Sequence, residues 1–178
     1  QLVCLRAGYP VPVRPGETLS CLELTAPAQL RPGRTDPRLT VVATDDAATV
    51  RTTTLAIGAP YAWPTQLWDE RAWRDYLADP AVKHWAARRG GAAVGLASVR
   101  LGAAEIEIET FGLLPGFIGQ GLGGPFLTAV VRAAWAQAPT ADRLWVSTSD
   151  LDAPHALPNY TARGFRVTSR VGPEPPPV

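Results

Sequence analysis

The chain has 178 residues, 46% of them hydrophobic and 19% charged, with a formal charge of +1. That length supports one domain with a full core and is short for two, and the balance of apolar and charged residues excludes a disordered chain. A charge so near zero, with no basic run, gives no footing for a nucleic-acid or anionic-membrane partner.

The first 38 residues mix prolines with a short β-prone piece, TLSCLELTAP, and a turn-rich RPGRTDPR, which predict a strand and a linker. Cys21 falls in that piece and Cys4 lies upstream. Two cysteines make no disulfide framework, so both read as passive thiols in a reducing compartment. LTVVAT then predicts a strand, and DDAATVRTTTLAIG a helix with Asp45 or Asp46 at its cap and Gly58 at its end. YAWPTQLWDERAWRDYLADP reads as an aromatic loop entering a short helix that stops at Pro80. VKHWAARRGGAAVGLASVRL holds two β-prone runs around Gly90-Gly91, the dipeptide a tight hairpin needs for positive φ.

In AEIEIETFGLLP the alternation predicts a strand with Glu105, Glu107 and Glu109 on one face and Ile106 and Ile108 on the other. The next stretch, GFIGQGLGGPFLTAVV, places five glycines in residues 116 to 124 and then turns apolar at helical spacing. A helix over 122–137 follows, with Pro125 in the first turn, where a missing N–H costs little. Arg132 keeps this helix from reaching the roughly 20 apolar residues of a membrane span. RLWVSTS predicts a strand, HALPNYTARG a short helix closed by Gly164, FRVTSRV a final strand, and GPEPPPV a disordered tail. The order implies a mixed α/β sheet.

A strand ending in glycines and feeding a helix aims unpaired backbone N–H groups and a positive helix end at one point, and phosphate binds there. Gly119, Gly121 and Gly124 also satisfy the dinucleotide spacing G-x-G-x-x-G. Their context disagrees, because the loop follows an antiparallel hairpin late in the chain and Asp142 precedes the next strand.

GLLPGFIGQGLGG resembles the cofactor loop R/Q-x-x-G-x-G/A of the GNAT superfamily of acetyl-CoA-dependent N-acyltransferases, with Gly121 and Gly123 on its glycine positions. PNYTARGF, further along, resembles that family's L-Y-x-K-x-G-F, with Tyr160, Gly164 and Phe165 in place. The FGLLP, GLG and ALPNY segments are also similar to a branch of bacterial GNAT proteins. One departure is Ile118, which stands where the family has Arg or Gln; Gln120 is the nearest substitute.

The resemblance implies a twisted, mostly antiparallel sheet of six to seven strands flanked by four helices. It places a GNAT domain at residues 39–170, an N-terminal extension at 1–38 and a tail at 171–178. It implies acetyl transfer from acetyl-CoA to a primary amine of a small molecule by direct attack in a ternary complex, with Tyr160 as the acid at the departing sulfur. Glu107 or Glu109 would be the base, bulk water being the alternative, and no metal is involved. Cofactor contacts would come from Phe111, Leu113, Leu114, Ile118, Gly119, Gln120, Gly121, Leu122, Gly123, Gly124, Asp152 and Tyr160. Trp63 and Trp68 would wall the acceptor beside Glu107 and Glu109, or else belong to the core, as Trp145 does. His155 reads as a cap at a helix start. Other readings of the same fold are a protein N-terminal or lysine acetyltransferase and a degenerate acyl-CoA sensor. A soluble, cytoplasmic monomer or homodimer is expected, without nucleic-acid or membrane partners.

Overall fold

The computed structural model describes residues 12–172 in full and the backbone of residues 5–6 and 9–10. Cys4 and residues 173–178 of the tail expected at 171–178 lie outside the described residues, while Val171 closes the last strand. Two short strands, β1 (Leu5–Arg6) and β2 (Tyr9–Pro10), pair with each other. Everything else assembles on one seven-stranded sheet made of β3 (Leu19–Leu24), β4 (Leu39–Thr44), β5 (Val82–Arg89), β6 (Ala92–Leu101), β7 (Glu105–Leu113), β8 (Arg143–Ser149) and β9 (Arg166–Val171). Its spatial order is β4-β5-β6-β7-β8-β3-β9, and every pairing is antiparallel except β7 with β8. The expected mixed, mostly antiparallel sheet with four helices is the architecture observed.

Local chemistry sets the element ends. α1 (Ala47–Gly58) starts at Asp46, whose carboxylate accepts from the Ala48 N–H at 3.2 Å. Its last residue is glycine because a Cβ there would sit 2.7 Å from the Trp63 ring. α2 (Glu70–Leu77) is capped by Asp69, which accepts from Ala72 N–H. The β5–β6 hairpin turns through Gly90 at φ 58° and Gly91 at φ 83°, conformations that glycine adopts without strain. α3 (Gly123–Gln137) and α4 (Ala156–Ala162) complete the helices.

The sheet separates two apolar layers. On one face Phe126, Leu127, Val130, Val131 and Ala134 of α3 pack on Trp85, Val99, Ile106, Ile108, Leu144 and Val146, with Tyr160 and Phe165 closing the same cluster. On the other, Val50 and Ile57 of α1 pack on Ala86 and Leu96. The strand expected in the N-terminal extension is β3, and it runs inside the sheet between β8 and β9. Cys21 lies in it and is disulfide-bonded, which overturns its reading as a passive thiol.

Two irregularities open the site. Ser98 pairs with Thr110 and Val99 with Ile108, so Glu109 is an extra residue in β7, a bulge that interrupts the expected alternation. The parallel β7–β8 ladder holds only from Glu105–Arg143 to Ile108–Val146. Beyond the bulge β7 pairs with β6 alone while β8 continues along β3, and the two strands part into a cleft.

Candidate active site

A cavity of about 980 Å³ fills this cleft. At one end lies the glycine loop. Gly119 and Gly121 have φ of 81° and 76°, and a Cβ on either would meet nothing within 4 Å, so the backbone faces open space. α3 then begins at Gly123 behind Leu122, with no side chain capping its first N–H groups. Such orphan donors at the positive end of a helix suit a phosphate. Ile118, Leu122, Gly123 and Gly124 also border the cavity.

Two arginines absent from the sequence expectations stand at this end. Arg34, from the linker, and Arg163, closing α4, both border the cavity. The Arg163 guanidinium lies directly against Gly124 and Gly33, so that neither glycine has room for a Cβ, and its Nε is buried without a hydrogen-bond partner. The linker is fixed there by Gly33 N–H donating to Thr128 Oγ1 at 2.8 Å and Arg31 N–H to the Arg163 carbonyl at 2.9 Å. Arg163 stands inside the PNYTARGF motif, where its charge and its place before Gly164 were the available signal. Nothing in RPGRTDPR pointed Arg34 at the loop. Gln120 is not the substitute for the missing Arg or Gln: its amide binds Arg89 at 2.6 Å and the Gly116 carbonyl at 2.8 Å and does not border the cavity.

Midway, the residues of β7 beyond the bulge, including Phe111 and Leu113, run along the cavity wall, with Val146 to Ser149 of β8 opposite. Leu114 instead packs with α1 and does not border it. Tyr160 reaches the cavity from α4, held with its ring centroid 6.0 Å from Phe111 and 5.6 Å from Phe165. It is 4% exposed, and burial, with the nearby Asp152 charge, pushes its phenol pKa well above the usual tyrosine value. The hydroxyl therefore stays protonated through neutral and mildly alkaline pH.

At the far end the structure separates the paired glutamates. Glu107 is 4% exposed, engaged by another group of the chain, and does not border the cavity. Glu109 does, because the bulge turns it there. Its Oε1 accepts from Arg100 Nε at 2.7 Å, and its Oε2 is enclosed, with the Tyr76 hydroxyl beside the carboxylate. Arg100 also donates to Asp79 at 2.7 Å. Burial opposes the Arg100 charge, but the bonds to Asp79 and Glu109 outweigh it and hold its pKa above the ordinary value. Tyr76 lies over Glu109, and burial and that carboxylate both raise its pKa.

Trp63 and Trp68 border the cavity, together with Tyr61 and Tyr76. Trp68 packs edge-on against Trp73 and Tyr76, centroids 5.0 Å from each, and Trp73 is core. The Trp63 indole donates to Asp152 Oδ1 at 2.9 Å, while Asp152 Oδ2 takes Ser149 N–H at 2.8 Å and Thr148 Oγ1 at 3.1 Å. Asp152 thus bridges the two cleft walls. His155 is the N-cap residue of α4 and its side chain caps nothing, although it borders the cavity. Trp145 is buried against Leu19 and Cys21. Among the described residues no His, Cys, Asp and Glu cluster could hold a metal ion, and no helix is long and apolar enough to cross a membrane.

Sheet and cleft together define an α/β domain in which an open glycine loop and a helix N-terminus border the gap between two parted strands. The chain belongs to the acetyltransferase (GNAT) family, whose model matches residues 50–165. A GCN5-related N-acetyltransferase from Kribbella flavida is 18% identical with a TM-score of 0.61, over 87% of this chain and 58% of that one. One from Sphaerobacter thermophilus is 16% identical with a TM-score of 0.64, over 88% of this chain and 50% of that one. An aminoglycoside acetyltransferase, meta-AAC0020, from an uncultured soil metagenomic sample is 14% identical with a TM-score of 0.59, over 73% and 90%. The chain thus spans half to three fifths of the length of the first two. No curated protein matches it.

Proposed function

We propose that the protein is an N-acetyltransferase that moves an acetyl group from acetyl-CoA to the primary amine of a small molecule, by direct attack in a ternary complex. The observation that carries this reading is that one cavity joins an open glycine cradle, a protonated Tyr160 and the carboxylate of Glu109.

The residues fit acetyl-CoA, which when bound supplies the thioester carbonyl under attack and the thiolate that leaves. Gly119 to Gly124 present backbone N–H groups to the pyrophosphate, and Arg34 and Arg163 replace the cation that Ile118 does not provide. The β7 edge from Phe111 to Leu113, unpaired toward β8, offers its backbone to the pantetheine arm and an N–H to the carbonyl oxygen. Tyr160 donates its proton at the sulfur position. Glu109, rather than Glu107, accepts the proton of the attacking amine, directly or through water, because only Glu109 reaches the cavity. Asp152 contributes by holding Trp63 and the end of β8.

Arg163→Ala is expected to weaken coenzyme A binding by tenfold to a hundredfold, since a charge-assisted hydrogen bond is worth about 1.5–3 kcal/mol. Calorimetric titration checks this, and binding of acetyl-pantetheine, which lacks the phosphates, should be unchanged. Gly121→Val would force a β-branched residue to φ near 76°, costing about 1–2 kcal/mol, and push its side chain toward the phosphate position. The same titration should show coenzyme A binding lost while the melting temperature falls by only a few degrees. A thiol-release assay with acetyl-CoA and a panel of amines tests the function itself: a sensor would bind coenzyme A without turnover, and a protein acetylase would label peptides and leave the amines untouched.

A further inference from the structure

We infer that Arg14 is a positioning residue for the acceptor end of the cavity, where it fixes the turn that carries Trp63. The inference rests on the acetyl-transfer reading for the statement that this end takes the amine.

The turn that carries Trp63 is a strained one. It runs from Ala59 to Ala62 behind α1 and is closed by a long bond, Ala62 N–H donating to the Ala59 carbonyl at 3.4 Å. Ala62 is the only non-glycine at positive φ among the described residues, at 49°. A residue with a side chain resists that conformation, so the surroundings must impose it.

Two contacts from outside the turn do so. Arg14 Nη1 donates to the Tyr61 and Ala62 carbonyls at 3.1 and 3.2 Å, and the Trp63 indole donates to Asp152 at 2.9 Å. Arg14 is itself fixed. Its Nη2 donates to Glu17 Oε1 at 3.0 Å and its backbone N–H to Glu17 Oε2 at 2.6 Å, and Glu17 is only 4% exposed. Next to Glu17, Thr18 N–H donates to Asp150 Oδ1 at 2.8 Å and Asp150 N–H to the Thr18 carbonyl at 3.1 Å. Asp152 in turn holds Ser149 and Thr148. Residues 14–18, 58–63 and 148–152 therefore close a ring of hydrogen bonds, and Arg14, Glu17, Tyr61, Trp63 and Asp152 all border the cavity. Arg14 lies ahead of residues 50–165, the span of the family match, so this part of the wall is supplied by the chain's own N-terminal segment. A wall fixed before the amine arrives avoids an ordering cost on binding.

The chemistry of the clamp calls for arginine. A planar guanidinium serves Glu17 through Nη2 while Nη1 serves both carbonyls, whereas a lysine would offer all three partners one ammonium nitrogen. Arg14→Lys thus keeps the charge beside Glu17 and loses the fork. The pair Arg14→Gln with Glu17→Gln removes the clamp without stranding a buried carboxylate.

Hydrogen exchange read by mass spectrometry tests the clamp. In both variants exchange across residues 59–68 should rise at least about tenfold, with residues 116–124 unchanged. KM for the amine of the thiol-release panel that is turned over fastest should rise at least about fivefold, with kcat and coenzyme A affinity held within about twofold. In Trp63→Ala protein, which has lost the wall itself, adding Arg14→Lys should change that KM by less than about twofold. Unchanged exchange at 59–68 overturns the inference, as does faster exchange with an unchanged KM. Faster exchange throughout the chain, or an undiminished KM effect in Trp63→Ala protein, overturns it too, because Arg14 would then act on the fold at large. A wild type that acetylates no amine, with the local rise in exchange present, defeats the transfer reading and leaves the clamp on the turn standing.

Discussion

Tyr160→Phe is expected to lower kcat by about 10²- to 10⁴-fold, the usual contribution of a positioned general acid, with coenzyme A affinity unchanged. The substitution removes one oxygen from a ring whose packing against Phe111 and Phe165 needs no hydroxyl, so the fold should persist. Burial raises the phenol pKa, so the acid is fully protonated at neutral pH and the wild-type rate should not fall on the alkaline side until pH passes the ordinary tyrosine value near ~10. The linkage sign is the same for stability. A phenol that holds its proton more tightly when folded leaves stability intact below about pH 10 and erodes it above, and Tyr76 acts in the same direction. Steady-state kinetics against pH, with parallel coenzyme A titrations, checks each part. Unchanged turnover would remove Tyr160 from the chemistry.

Gly164→Ala is expected to be the most damaging small substitution in the fold. Gly164 has φ 97°, and a Cβ there would overlap the Gln29 carbonyl oxygen, which is backbone and cannot swing aside. Left-handed strain alone costs about 1–2 kcal/mol, and the overlap brings the total to about 3 kcal/mol or more. For a chain of this size that lowers the melting temperature by roughly 6–12 °C. The overlap falls on the linker that carries Gly33 against Gly124 and Thr128, so coenzyme A binding should weaken as well. Gly16→Ala is the control, since Gly16 has a similar φ of 78° but open space around it. Its loss should stay near ~1 kcal/mol, from strain alone. Thermal melts of the two variants side by side settle the comparison.

What could be read from sequence followed the range of the interactions involved. Gly90-Gly91, the cap at Asp46 and the helix after the glycine loop rest on contacts a few residues apart, and each appears where local chemistry puts it. The bulge at Glu109 does not, because EIEIET alternates without a break and the extra residue is imposed by pairing with β6. That slip decides which glutamate meets the cavity. The place of β3 between β8 and β9 joins residues more than a hundred positions apart, and no local pattern encodes it. The same holds for Arg14 and Arg34, whose roles arise only when the N-terminal segment folds against the cleft. Gln120 is a further case: its position in the motif suggested a cofactor contact, and a hydrogen bond from Arg89, 31 residues away on the β5–β6 hairpin, turns it elsewhere.

The most direct measurement is mass spectrometry of a small primary amine incubated with acetyl-CoA and the protein, with released thiol quantified in the same reaction. The account predicts that the amine gains one acetyl group for each thiol released, and that both signals collapse together in Tyr160→Phe while coenzyme A still binds. Saturable coenzyme A binding with no acetylated amine across the panel would contradict it.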